Sequence, residues 1–369
     1  MNRAAGVAVW VCACLAVALS GPLAAQDSQF GVRGLGVPGR LESVRARSTG
    51  GAFAAFDPLS ALLDAALGDI ARLSAGITTT TSWRRAQVDT LDSSLRGSRF
   101  PTFVVAGPVT RRIIVAGGFS TYLDKSWGVR TQSTDTLRGQ PVGITDELTS
   151  DGAVSDLRLA LAARASRRLA FGVAVHGLTG STRVSATRTF SDTAYRASTV
   201  RDEVSYGGFG MSASAMFDVT PDLRIAAWAR NDTKLRADIR GRTVSDVDLP
   251  FSAGGAVRWR AGSEAVLAGS VAWRYWQGAG PNAFDTFQWS LGTELGSAST
   301  PLRLGVRGGT LPFGPAGAAP TELGVAGGIG KSFSGGRGRL DIGLERLERK
   351  GGGLAERTWT LLLGLAVRP

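Results

Sequence analysis

From Leu73 onward the chain alternates between apolar and polar positions. In the segment TFQWSLGTEL, Phe287, Trp289, Leu291 and Leu295 share one face, while Gln288, Ser290, Gly292 and Glu294 share the other. Leu340, Ile342 and Leu344 oppose Asp341, Gly343 and Glu345 in the same way, and Leu302, Leu304 and Val306 oppose Arg303, Gly305 and Arg307. A side-chain period of two marks strands with one oily and one polar face. Each run lasts about ten residues, the length a tilted strand needs to cross a bilayer. Short turns such as Thr220 to Leu223, Arg260 to Glu264 and Ser297 to Pro301 separate some runs. Longer polar stretches, residues 87–99, 125–150 and 181–201, are expected as loops between others. Short connections on one side and long ones on the other are those of a transmembrane barrel. No stretch after the first 25 residues reaches the ~18 to 20 apolar residues of a membrane helix, so a chain that spans a bilayer must do so as a closed antiparallel β-barrel. The repeat of about 40 to 50 residues that a propeller would add is absent.

One segment escapes this period. In residues 47–70, Gly50 and Gly51 allow a tight bend, Asp57 and Pro58 mark a helix start, and Leu59, Leu62, Leu63, Ala66 and Leu67 recur at helical spacing. The spacing predicts a short amphipathic helix ahead of the first strand. The polar face of the strands is rich in Gly, Ala and Ser, so the place for this helix is the lumen.

Residues 1–25 carry one Arg, an apolar run from Ala4 to Ser20, and a Gly-Pro break before small residues. They read as a secretory signal peptide, which sends the chain outward. Both cysteines, Cys12 and Cys14, lie within it, so disulfides do not hold the exported chain together. Fifty glycines and 43% hydrophobic residues exclude disorder and disfavour a helical enzyme. The net charge of +12 is spread over single, scattered arginines, which argues against a nucleic-acid footprint.

Tryptophans 83, 228, 259, 273, 276 and 359 stand near run ends, where an interfacial girdle would place them. Catalysis is not expected. The one histidine, His176, stands opposite Phe171, Val173 and Val175 by parity and faces the lumen or a turn, with no serine pattern beside it. No Cys or His cluster suggests a metal, and no glycine run suggests a phosphate cofactor.

Around the front segment the sequence resembles a known family. Gly50-Gly51-Ala52-Phe53-Ala54-Ala55, then Asp57-Pro58, then Ser60-Ala61-Leu62 are similar to the start of the outer-membrane barrels that include the long-chain fatty-acid transporter FadL and its PorV-like relatives. Asp64-Ala65-Ala66 replaces the family's Asn-Pro-Ala. The later strand rhythm is similar too, as in DLRLALAARASRRLAFGVAVHGL, so the resemblance covers most of the chain. It implies an all-β barrel of about 14 strands over residues 71–369 with a helical hatch over 26–70; the run count alone gives roughly twelve to fifteen, and even numbers are the rule.

The resemblance also implies passage of hydrophobic small molecules, with the hatch as gate. Phe53, Phe56, Leu59, Leu62 and Leu63 then line a ligand site or simply pack the plug, and Gly50, Gly51, Asp57, Pro58 and Asp64 shape the hatch backbone. PorV-like relatives imply instead a scaffold for secreted proteins. A third reading is an anion-selective porin built on Arg158, Arg164, Arg258, Arg260, Arg303 and Arg307, unless these pair across the lumen with Asp156, Glu294, Asp341 and Glu345. Expected partners are outer-membrane lipid and lipopolysaccharide, a hydrophobic ligand or a secreted protein, and no nucleic acid.

Overall fold

The computed structural model describes residues 28–369 apart from Arg33, residues 89–90, Pro281 and residues 315–316. The signal peptide expected at residues 1–25 lies outside the described residues. Among the described residues, fourteen strands close into one antiparallel barrel. The first five are β1 (Ser74–Val88), β2 (Leu91–Pro108), β3 (Ile113–Asp124), β4 (Gln140–Arg164) and β5 (Leu169–Phe190). Next come β6 (Ser198–Asp218), β7 (Leu223–Asp232), β8 (Phe251–Arg260), β9 (Ala265–Tyr275) and β10 (Thr286–Leu295). The last are β11 (Leu302–Thr310), β12 (Thr321–Phe333), β13 (Gly338–Gly351) and β14 (Leu354–Val367). Strand β14 returns to β1 along its whole length, from Leu354 opposite Val88 to Val367 opposite Ala75. Closure of the ring from β14 to β1 removes the two free edges that an open sheet would present.

The alternation decides which face is which. Leu159, Leu291, Leu323 and Ile329 project outward and are exposed, whereas Ala160, Ser290, Glu322 and the other in-between residues are buried. An exterior this apolar suits a bilayer and not water. Trp83 and Trp359 sit side by side on the outside, with Trp273 and Trp259 also outward. Trp228 and Trp276 depart from the expected girdle: both are buried, because Trp228 falls on the inward parity of β7 and Trp276 lies just past the end of β9.

The stretches expected as loops are mostly strand. Residues 87–99 run into the β1–β2 hairpin, residues 181–201 join β5 to β6, and Trp127–Leu137 lies as an extra strand beside the first half of β4. Strands β4, β5 and β6 run to 25, 22 and 21 residues. Their upper halves carry mostly polar residues on both faces, so the period-two signal fades while the pairing continues. The turns at residues 109–112, 165–168, 219–222, 261–264, 296–301 and 334–337 lie at the end where β1 starts and β14 stops, whereas the two-residue turn at 352–353 lies at the other end.

One place in the wall is incomplete. The β2–β3 ladder stops at Thr102 opposite Ser120, although β2 stays paired with β1 as far as Leu91 opposite Val88. Beyond Ser120, β3 is bulged between Thr121 and Leu123, and its abandoned edge pairs with Val37–Pro38 from the segment ahead of the barrel.

That segment fills the lumen, but not as the expected helix. The chain forms one short α-helix at Val44–Ser48, capped by the Ser43 side chain, and 3₁₀ turns at Ala54–Phe56 and Asp64–Asp69. Residues 59–63 have no helix because Asp64–Ala65 lie against the wall at Gly172, and the Ala65 N–H donates to Ser214 Oγ (2.9 Å) instead of to a preceding turn. Of the leucines read as one helical stripe, Leu62 and Leu63 pack into the cluster around Phe53 and Phe56, Leu67 packs with Ile114 and Ala162, and Leu59 lies against Gly76.

Candidate functional site

The plug is seated by shape first. Phe53, Phe56 and Leu63 are buried with Ala170, Met216, Ala226, Trp228 and Ala268, and Leu67 and Ile70 pack with Ala106, Ile114 and Ala162. Small wall residues let the plug backbone come close. A Cβ on Gly292 or Gly305 would land on Thr49, one on Gly328 or Gly343 on the Ser48 side chain, and one on Gly172 on Asp64–Ala65. Gly50 and Gly51, with φ of 68° and 100°, turn the chain over this ledge in a region other residues avoid.

Charge seats it next. Arg45 donates to Glu294 at 2.7 and 2.5 Å, and Arg303 reaches the same carboxylate at 2.8 Å and Asp341 at 2.7 Å. Arg47 and Arg40 both bind Glu345, at 2.5 and 3.0 Å, and Arg307 joins them at 3.3 Å while also holding Glu322 at 2.7 Å. The expected cross-lumen pairing is therefore present at Glu294, Asp341 and Glu345, and Asp156 meets Arg230 at 2.6 Å. What the sequence reading missed is that the plug supplies Arg40, Arg45 and Arg47 to the same network. Buried pairs of this kind add little net stability but are costly to break. Glu42 of the plug shows the balance: burial pushes its carboxyl up, and Arg40 and Arg307 more than reverse this, so it lies below the ordinary range.

On the loop side of the plug is a cavity of ≈ 110 Å³. Leu41, Ala61, Leu62, Trp228 and Trp276 give it apolar surface, and Tyr122, Arg230, Asp232 and Arg274 give it a polar side. Of the expected ligand residues, Leu62 lines this cavity. Leu59 lies against Gly76 beside a separate cavity of ≈ 50 Å³, and Phe53, Phe56 and Leu63 are inside the plug core. Asp57 accepts from the Ser43 hydroxyl and from the Leu59 N–H (3.3 Å), with Pro58 beside it at the second cavity. Asp64 is buried, 3.3 Å from Arg158, and accepts from Ser212 Oγ at 2.8 Å.

His176 does face the lumen, and it has the partners that sequence alone did not place beside it. Asp156 lies 2.9 and 3.0 Å from Nδ1, and Ser212 Oγ lies 2.9 Å from Nε2. Only the strand register, Arg158 opposite His176 and His176 opposite Gly210, brings the three together.

This architecture, a closed 14-strand barrel holding an N-terminal plug, is similar in fold to solved FadL-type barrels. A FadL homologue of Pseudomonas aeruginosa superposes with a TM-score of 0.66 at 12% identity, over 90% of this chain and 99% of that one. The toluene transporter TbuX of Ralstonia pickettii gives 0.61 at 14% identity over 89% and 99%, and the toluene transporter TodX of Pseudomonas putida 0.58 at 12% over 90% and 98%. No protein-family model matches the sequence, and no curated protein matches it. At such identities the likeness is one of fold.

Proposed function

We propose that the chain is an outer-membrane channel for hydrophobic small molecules, exported by way of residues 1–25, with the plug as its gate. The observation that carries this reading is the incomplete wall between β2 and β3, where the plug segment Val37–Pro38 occupies the edge that β2 leaves. A solute that reaches the cavity beside Leu62, Trp228 and Trp276 has a sideways path into the apolar layer once Val37–Pro38 withdraws. An apolar molecule gains by that route, since each Å² moved from water into hydrocarbon is worth about 25 cal/mol. Leu62 would touch the ligand directly, while Phe53, Phe56, Leu59 and Leu63 keep the plug in shape around it. The structural neighbours include toluene transporters, so toluene is the first ligand to try, with a long-chain fatty acid, the cargo that the resemblance to FadL implies, beside it. Arg303 and Arg307 pair with wall carboxylates and Arg158 with Asp64 of the plug, which speaks against an anion-selective pore.

The test is uptake of toluene and of a fluorescent fatty acid into vesicles containing the refolded chain without residues 1–25, recorded beside ionic conductance. Faster uptake with no steady conductance supports the proposal. A large steady conductance without selective uptake makes the chain a porin, and neither effect makes it a non-transporting scaffold.

A further inference from the structure

Hydrogen accounting around His176 fixes more than its location. A carboxylate can only accept, so the Nδ1 that faces Asp156 at 2.9 and 3.0 Å must carry a hydrogen. With Arg158 3.3 Å away, Asp64 also enters as a carboxylate, and the one hydrogen of Ser212 goes to it across 2.8 Å. Ser212 Oγ is then an acceptor toward Nε2 at 2.9 Å, so Nε2 carries a hydrogen too. Both ring nitrogens are protonated.

The charges agree. Asp64 of the plug, Asp156 of β4 and Asp232 of β7 face only two guanidinium groups, Arg158 of β4 and Arg230 of β7, with Arg230 2.6 Å from Asp156 and 2.8 Å from Asp232. An imidazolium supplies the third cation. Across the cavity Glu42 of the plug and Arg274 of β9 add one charge of each sign, and Tyr122 of β3 donates a neutral hydroxyl to Asp232 at 2.8 Å.

We infer that His176 is a positioning residue that holds the Asp64–Asp69 turn of the plug through Ser212, and that it does so as the imidazolium. The order Asp156, His176, Ser212 has the look of a hydrolase triad, but an imidazolium has no lone pair to take a serine proton, and Ser212 directs that proton at Asp64. The inference concerns how the plug is seated and stands whatever the channel carries. The seated turn is held while both ring nitrogens donate; a neutral ring with Nε2 as acceptor would compete with Asp64 for one hydroxyl hydrogen.

Nitrogen-15 NMR of the refolded chain with labelled histidine tests this directly, because His176 is the one histidine of the sequence. At about pH 7 both ring nitrogens should carry a directly bonded hydrogen, and a ring nitrogen without one overturns the inference. Hydrogen–deuterium exchange at the same pH reads the seating. His176→Gln and Ser212→Ala should each lower protection of residues 61–70 at least about tenfold, as for loss of one charge-assisted hydrogen bond, while residues 44–53, held by Arg45 and Arg47, stay protected. Unchanged protection in His176→Gln overturns the positioning role, and if that variant does not fold, Ser212→Ala carries the same test.

Discussion

Arg45 and Glu294 form a two-point contact between plug and wall, with hydrogen bonds of 2.7 and 2.5 Å across 249 positions of sequence. Glu294 also holds Arg303, so this single carboxylate links the Val44–Ser48 helix to β10 and β11. Glu294→Gln removes the charge that both arginines face. The expected result is an intact barrel whose plug is destabilised by about 3 kcal/mol. Heat-modifiability on a gel should be unchanged while exchange over residues 44–53 speeds up; unchanged exchange would show that the contact is dispensable.

Gly305 tests the ledge. Its missing side chain is replaced in space by the Thr49 backbone, so Gly305→Val cannot accommodate the plug where it now sits. We expect a folded barrel with steady ionic conductance, because the obstruction lies between plug and wall and not within the ladder. Gly207→Ala is the control: nothing lies near its added methyl, and it should alter stability by no more than about 0.5 kcal/mol.

Gly39 tests the side opening. A Cβ there would collide with the Thr121 carbonyl, and the Gly39 N–H that donates to Tyr122 O at 2.8 Å would be displaced with it. Gly39→Ala should free Val37–Pro38 from β3 and raise uptake of an apolar solute severalfold, with little ionic conductance because the rest of the plug stays seated. A conductance increase without faster uptake would sink the sideways route.

Glu42 gives the acid response. Burial opposes its charge, but Arg40 and Arg307 hold its carboxyl below the ordinary range. A group lowered in this way stabilises the folded form above the unfolded value of about 4.3, and the contribution is lost as pH falls through the lower folded value. Protection of residues 37–42 should therefore persist at about pH 5 and decline only in stronger acid. Glu42→Gln should lower it at neutral pH and remove its share of the acid dependence, which hydrogen exchange between about pH 3 and about pH 7 would reveal.

Much of the barrel is legible in the sequence, since Leu302, Leu304 and Val306 need lipid on one side while Arg303, Gly305 and Arg307 need the lumen on the other. The tall upper halves of β4 to β6 are not, because a strand with mostly polar residues on both faces gives no period-two signal. The plug was legible as a buried apolar segment but not in its local form: Leu59, Leu62, Leu63 and Leu67 satisfy helical spacing while their contacts are divided among three separate places in the lumen. His176 was legible as luminal. Its partners depend on register, and no local pattern ties Ser212 or Asp156 to it across 36 and 20 positions.

The plug precedes the barrel in the chain, yet its Val44–Ser48 helix and Arg40 are anchored by charge to the barrel's last third, through Glu294 and Glu345. The first part of the exported chain to emerge thus has no finished seat until β10 to β13 exist, and β14 must still find β1. Contacts this distant in sequence form late, after their loop-closure cost has been met. An assembly intermediate caught before that point would be an unsealed sheet with a loose leading segment, so the order of biogenesis makes the permeability barrier one of the last features of the molecule to arise.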